Sequence, residues 1–170
     1  MFVMASTFVS CSDDESSNDD NGNGDLNAFD RSLMLVNWAD NIIIPSYENF
    51  SAESDDLKEA TDIFLADRSM ENLTNLRNKW ENAYLSWQNV EMYNIGPAQD
   101  SFMRSFINTY PTNTSNIDDF IENQNYNLLD PNLNDEQGFP AIDYLLYGIA
   151  ETDNEILDLY DSAPNAGNHR

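Results

Sequence analysis

Between Met70 and Asn94 the apolar residues recur at helical spacing. Leu73, Leu76, Trp80, Ala83, Tyr84, Trp87 and Val90 step mostly by three and four. That period puts them on one face of a helix, and a face bearing two tryptophans and a tyrosine has to be covered by other helices. Ser69 is placed to cap this segment and Ile95-Gly96-Pro97 to end it. No long alternating pattern of the kind that marks a strand occurs in the chain. The expectation is therefore an all-α fold, an antiparallel helical bundle.

The flanking segments supply the partners. Leu26 to Phe50 reads as a first helix, with Phe29, Leu33, Val36, Asp40, Ile43 and Ile44 along its stripe and Leu26, Met34 and Trp38 widening it. Asp25 is its expected cap. Pro45 is expected to kink or break it, leaving a short continuation through Tyr47 and Phe50. Ser51 to Asp67 is expected as a second helix, with Leu57, Ala60, Phe64 and Leu65 on its apolar face. After the third helix, Ala98 to Asn108 reads as a short helix turning Phe102, Phe106 and Ile107 inward. A further short helix, capped by Ser115 or Asn116, carries Ile117, Phe120 and Ile121. Asn123 to Gln137 is rich in Asn and Asp and reads as a long surface loop with a turn at Asp130-Pro131. Glu151 to Tyr160 is expected to be helical through Ile156, Leu157 and Tyr160. At helical spacing Trp80, Trp87, Tyr84, Trp38 and Tyr144 read as core.

The stretch Gly138-Phe139-Pro140-Ala141-Ile142-Asp143-Tyr144-Leu145-Leu146-Tyr147-Gly148 carries the functional signal. Proline suits a first helical turn, and Gly148 is placed to stop the helix. Ile142, Leu145 and Leu146 form its apolar face, with Asp143 and Tyr147 on a neighbouring one. This stretch resembles the signature helix of the imelysin family, a peptidase-like family whose motif reads Gly-x-His-x-x-Glu followed by Leu-Leu-aromatic-Gly. Gly138 and Gly148 keep the frame. Pro140 stands at the His position and Asp143 at the Glu position. A second stretch resembles the same family: Leu73, Leu76 and Trp80, then Glu91, Tyr93, Gly96 and Pro97, follow the spacing of its third helix and of the Glu-x-aromatic-x-x-Gly-Pro run behind it. The resemblance covers Ala28 to Ala150. It implies the first of two helical bundles, with the second absent from this sequence.

Chemistry is constrained by what is missing. The one histidine, His169, lies in the tail, so neither a His-Glu-x-x-His zinc helix nor a Ser-His-Asp triad can be assembled. Hard cations accept carboxylates without histidine. Asp143 and Glu91 are the two carboxylates at positions that the family patterns, and they are the candidate ligands for a metal ion, iron or another divalent cation. The alternation of Asp130, Asn132 and Asn134 begins like a calcium loop, but Asp135 stands where glycine is required and Ala141 where the closing Glu belongs.

The net charge of −24, from 31 acids against 7 bases, repels phosphate backbones and excludes a nucleic-acid partner. No segment reaches the ~20 apolar residues of a membrane span. Met1 to Val9 followed by Ser10-Cys11 resembles the end of a bacterial lipoprotein signal, which makes Cys11 the expected lipid attachment site. Residues 1–11 are then a signal remnant, 12–25 a disordered acidic tether, 26–161 the helical domain and 162–170 a frayed tail. With Cys11 as anchor the expectation is an outer-membrane or periplasmic lipoprotein of the bacterial envelope; the resemblance implies a connection with iron or metal uptake and its partner proteins, and the missing histidines make it a binding or accessory protein with no catalytic residues of its own. The alternatives are a metallopeptidase whose other site residues lie in a second half, and a helical lipoprotein that only binds a partner.

Overall fold

The computed structural model describes residues 30–161, and among them there are helices and no strand. The bundle is all-α, as the periodicity requires. The signal remnant with Cys11, the tether of 12–25, the start of the first helix with its Asp25 cap, and the tail of 162–170 lie outside the described residues.

Helix α1 (Arg31–Trp38) runs through a π segment (Ala39–Ile43) into α2 (Ile44–Ala66) without interruption. The break expected at Pro45 and the separate helix expected from Ser51 are therefore corrected to one continuous element. The wide turn explains the difference. Within the π segment the Ile44 N–H reaches back to the Ala39 carbonyl, and the proline falls in the first turn of α2. One extra residue in the turn before the ring relieves its clash with the preceding carbonyls.

Asp67 to Arg68 turn the chain, and Ser69 caps α3 (Met70–Gln88), its Oγ accepting from the Asn72 N–H at 3.3 Å. Asn72 answers by donating to the Asp67 carbonyl and carboxylate at 2.8 and 2.9 Å. So short a connection forces α2 and α3 to run antiparallel. Their contacts keep that register: Asn72 meets Asp67 at the turn, Lys79 pairs with Asp56, and Trp87 packs on Phe50 at the far end.

The stripe on α3 is buried as read. Leu73, Leu76, Ala83, Trp87 and Val90 are all in the core, and Trp80 and Tyr84 are half-buried. Two packed clusters result. One gathers Ala60, Phe64, Leu73, Leu76, Leu146, Ile156 and Tyr160, and the other Phe50, Ala83, Trp87, Val90 and Phe139. Each large side chain removed from water there contributes roughly 1.5–3 kcal/mol. The stripe expected on the first helix is not covered in the same way. Leu33, Val36, Trp38 and Ile44 are exposed, and burial begins at Phe50, where the pairing with α3 begins.

Beyond α3 the Tyr47 hydroxyl donates to the Tyr93 carbonyl at 2.9 Å and ties the turn to α2. The single helix expected over Ala98–Asn108 is two short ones, α4 (Pro97–Asp100) and α5 (Met103–Ile107). Phe102 separates them in the left-handed region, at φ 53°, with its ring exposed and not inward. Helix α6 (Thr114–Asn123) is capped by Asn113, two or three residues before the expected caps, its side chain accepting from the Asn116 N–H. The 123–137 loop has the turn at Asp130-Pro131, where Asp130 Oδ1 accepts from the Asn132 N–H, and it ends in a 3-10 turn (Asn134–Glu136). Contrary to a purely surface loop, Glu136 is buried. The Gly-bounded stretch forms α7 (Gly138–Asp143) and a second π segment (Tyr144–Gly148), and α8 (Asp153–Asp161) closes the described chain.

Gly138 is where α7 is fixed against α5. It sits at φ +77°, and a Cβ there would lie 2.2 Å from the Ile107 carbonyl oxygen. Gly96 has a positive φ of +54° but open space around it. Gly138→Ala is expected to cost more than ~2 kcal/mol, combining strain and a backbone clash, and Gly96→Ala about 1–2 kcal/mol from strain alone. Urea midpoints of the two variants check the order, and equal losses would show that the close approach at Gly138 is unimportant.

Candidate functional site

Helix α7 enters against the aromatic side of α3. The Trp80 indole N–H donates to the Phe139 carbonyl at 3.2 Å, and Trp80 stacks on Tyr84 with centroids 5.4 Å apart. Phe139 packs on Tyr84 at 5.3 Å. These rings form one wall of a cleft of about 440 Å³. Pro140, Asp143, Tyr144 and Gly148 form the helix side, Asn108 and Thr112 approach from the loop before α6, and Thr114 from its first turn.

Asp143 faces this cleft. Its side chain keeps access to water, yet partial burial among the rings raises its carboxyl above the ordinary value of 3.8. Tyr144 donates its hydroxyl to Asp118 Oδ1 on α6 at 2.7 Å, and burial followed by that bond pushes its phenol up to about 12. It remains a neutral donor at physiological pH. Gly148 gives the Tyr144 ring room, since a Cβ there would meet the ring edge at 2.9 Å.

Glu91 is placed elsewhere. Its Oε1 pairs with the Arg104 Nε at 3.1 Å, joining the turn after α3 to α5, and it is not part of the cleft wall. The two carboxylates singled out in the sequence are thus committed differently: one to the cleft, the other to an ion pair. Among the described residues no group of three or more His, Cys, Asp or Glu side chains is placed to hold a metal ion. His169 and Cys11 lie outside the described residues.

Arg77 is the residue that the sequence reading missed. Its Nε and Nη2 both donate to the Leu146 carbonyl, at 3.0 and 2.6 Å. Nη2 also meets Asp153 Oδ1 at 2.8 Å, and the guanidinium lies 4.4 Å from the Tyr147 ring centre. A π turn misaligns its carbonyls, and Arg77 satisfies one of them from the neighbouring helix. The signal was an arginine directly after Leu76, at the edge of the α3 stripe, in a chain with only seven bases.

The family model described as imelysin, a peptidase family, matches residues 43–165. The chain belongs to the imelysin family. This imelysin chain is also similar to iron-regulated protein A of Synechococcus elongatus, with 22% identity over 128 residues. The match takes in 75% of this chain and 35% of that protein, so the chain spans about a third of the length of the curated relative that it matches. No solved structure matches the chain. Pro140 and Asp143 both line the cleft.

Two outcomes follow from this geometry. Arg77→Met leaves the buried Leu146 carbonyl without its donors and is expected to cost about 2–3 kcal/mol, with Arg77→Lys intermediate. Asp153→Asn, on the exposed end of the same network, should change little. Urea unfolding of the three variants checks this, and equal losses in Met and Asn variants would move the weight from the carbonyl to the ion pair.

The second concerns Asp143. Its raised folded value means that the folded chain holds this proton more tightly than the unfolded chain does. The resulting destabilisation is absent below the ordinary value of 3.8 and grows as pH rises through the raised value. Asp143→Asn should therefore be slightly more stable than the parent at neutral pH, and the difference should vanish below pH 3.8. Parent and variant unfolding curves across that range test the sign.

Proposed function

We propose that this imelysin chain is a binding or accessory protein of bacterial iron handling, held at the cell envelope by a lipid on Cys11, and not a working peptidase. The observation that carries the reading is Pro140 in the cleft wall, where the family motif has its histidine. A proline side chain neither ligates a metal nor moves a proton. The printed name of the Synechococcus relative supports the iron context. Among the described residues no helix is long and apolar enough to cross a membrane, which is compatible with a lipid anchor.

The donors in the cleft do not fit a resident catalytic metal. Asp143 is the one carboxylate among neutral oxygens from Asn108, Thr112 and Thr114, and the Tyr144 phenol is spent as a donor to Asp118. Such a set suits a hard cation held loosely as cargo, for delivery to an uptake partner. Asp143 is the residue that would hold it.

Anaerobic calorimetric titration with Fe²⁺, beside Ca²⁺ and Zn²⁺, tests this on the parent and on Asp143→Ala. The expected result is one-site binding of a hard cation in the ~10⁻⁴–10⁻³ M range of few-ligand oxygen sites, lost in the variant. Heats that Asp143→Ala leaves unchanged would remove the metal from the reading and leave partner binding. Peptide hydrolysis by the purified chain would overturn it altogether.

A further inference from the structure

A second cavity, of about 310 Å³, lies on the other side of α7 and its π segment. Ile142, Leu145 and Leu146 turn into it, so the signature helix shows its polar edge to one cavity and its apolar edge to the other. Phe64 of α2 and Phe120 of α6 supply much of the remaining wall. The lining is apolar almost throughout, with a carboxyl, Glu136, in it.

Glu136 is 6% exposed. Its Oε1 accepts from the Asn116 amide at 2.6 Å and from the Asn113 amide at 3.2 Å, which ties the 3-10 turn to the start of α6. Its Oε2 is buried and has no hydrogen-bond partner. Anchoring α6 accounts for the first oxygen and leaves the second with no donor other than a proton shared with Asp135, and a buried carboxylate oxygen without a donor is costly. The other polar groups deep in the wall are already used: the Thr61 hydroxyl donates to the Leu57 carbonyl, and the Tyr160 hydroxyl points to the Leu145 carbonyl. Burial raises the Glu136 carboxyl, the Asn116 amide opposes this, and the adjacent Asp135 carboxyl raises it further, through a hydrogen bond between the two carboxyls and through its charge. The cavity thus has an apolar wall of small-ligand size and, in that wall, a carboxyl short of both a donor and a positive charge.

We propose that this cavity binds an elongated apolar molecule ending in a primary ammonium, with the ammonium on Glu136 and the chain along Leu145, Leu146 and Phe64. An ammonium supplies donors and charge together. An alcohol supplies a donor alone, and a fatty acid would bring a further carboxylate to Glu136 and Asp135. This assignment is independent of the iron reading and uses a different face of the helix.

Calorimetry of the full chain with octylamine, octanol, octanoate and methylamine tests it. Octylamine should bind one-to-one, at least tenfold tighter than octanol, with no saturable binding of octanoate or methylamine. Glu136→Gln should weaken octylamine about tenfold and leave octanol unchanged, while Leu145→Trp, which fills the cavity, should weaken both. Methylamine binding as well as octylamine, or octylamine binding equally to all three chains, would assign the interaction to the acidic surface and overturn the proposal. Absence of octylamine binding would do the same. Should either variant fail to fold, the four-ligand comparison on the parent chain decides alone.

Discussion

The indole of Trp80 lies between the two packed clusters of the core and donates its N–H to the Phe139 carbonyl in the first turn of α7. That carbonyl faces α3 because Gly138 lets the backbone come against Ile107, and the Phe139 ring then fills the space between Trp80, Tyr84 and Phe50. A half-buried tryptophan whose polar atom is satisfied contributes both area and direction. Here the direction matters most, because it fixes which edge of α7 meets the core and which edge borders each cavity. Arg77, one turn earlier on α3, secures the other end of the same stretch through the Leu146 carbonyl.

Two wide turns serve this architecture in different ways. The first absorbs Pro45 and lets one long helix continue to Ala66, so that α2 reaches the whole length of α3. The second follows Asp143 directly and rotates Tyr144 to Gly148 relative to a regular helix. Leu146 drops into the core while Tyr144 turns towards Asp118 and the cleft. One element consequently has an edge in each cavity.

Much of this was legible in the sequence where a single physical rule acted alone. The α3 stripe, its Ser69 cap, the glycines that bound α7 and its π segment, and α8 through Ile156 and Tyr160 all followed from period and capping. The rest depended on tertiary placement. Nothing local says that a π turn will precede Pro45, because its misaligned hydrogen bonds are a response to the ring. Phe102 is apolar and in phase with Phe106, yet a left-handed residue between α4 and α5 turns it outward. The exposed stripe of Leu33, Val36 and Trp38 has the right period but lies before Phe50, where burial against α3 begins. At the site, the sequence placed Asp143 and Pro140 together because one helix carries both. It could not place Glu91, whose partner Arg104 comes from another element, or reveal Arg77 and Glu136, whose roles exist only across helices.

A proline at position 140 is intelligible from the start of α7. Gly138, Phe139 and Pro140 are its first three residues, and the N–H groups of a first turn have no carbonyl within the helix to reach. A proline there loses no helical hydrogen bond, and its fixed φ is already that of a helix. The neighbours that hold this turn act through backbone atoms and through Phe139: the Ile107 carbonyl on Gly138, and Trp80 on the Phe139 carbonyl. None of them needs a histidine at 140. Backbone contacts and the Phe139 ring therefore hold this turn, and Pro140 is accommodated in it at little structural cost.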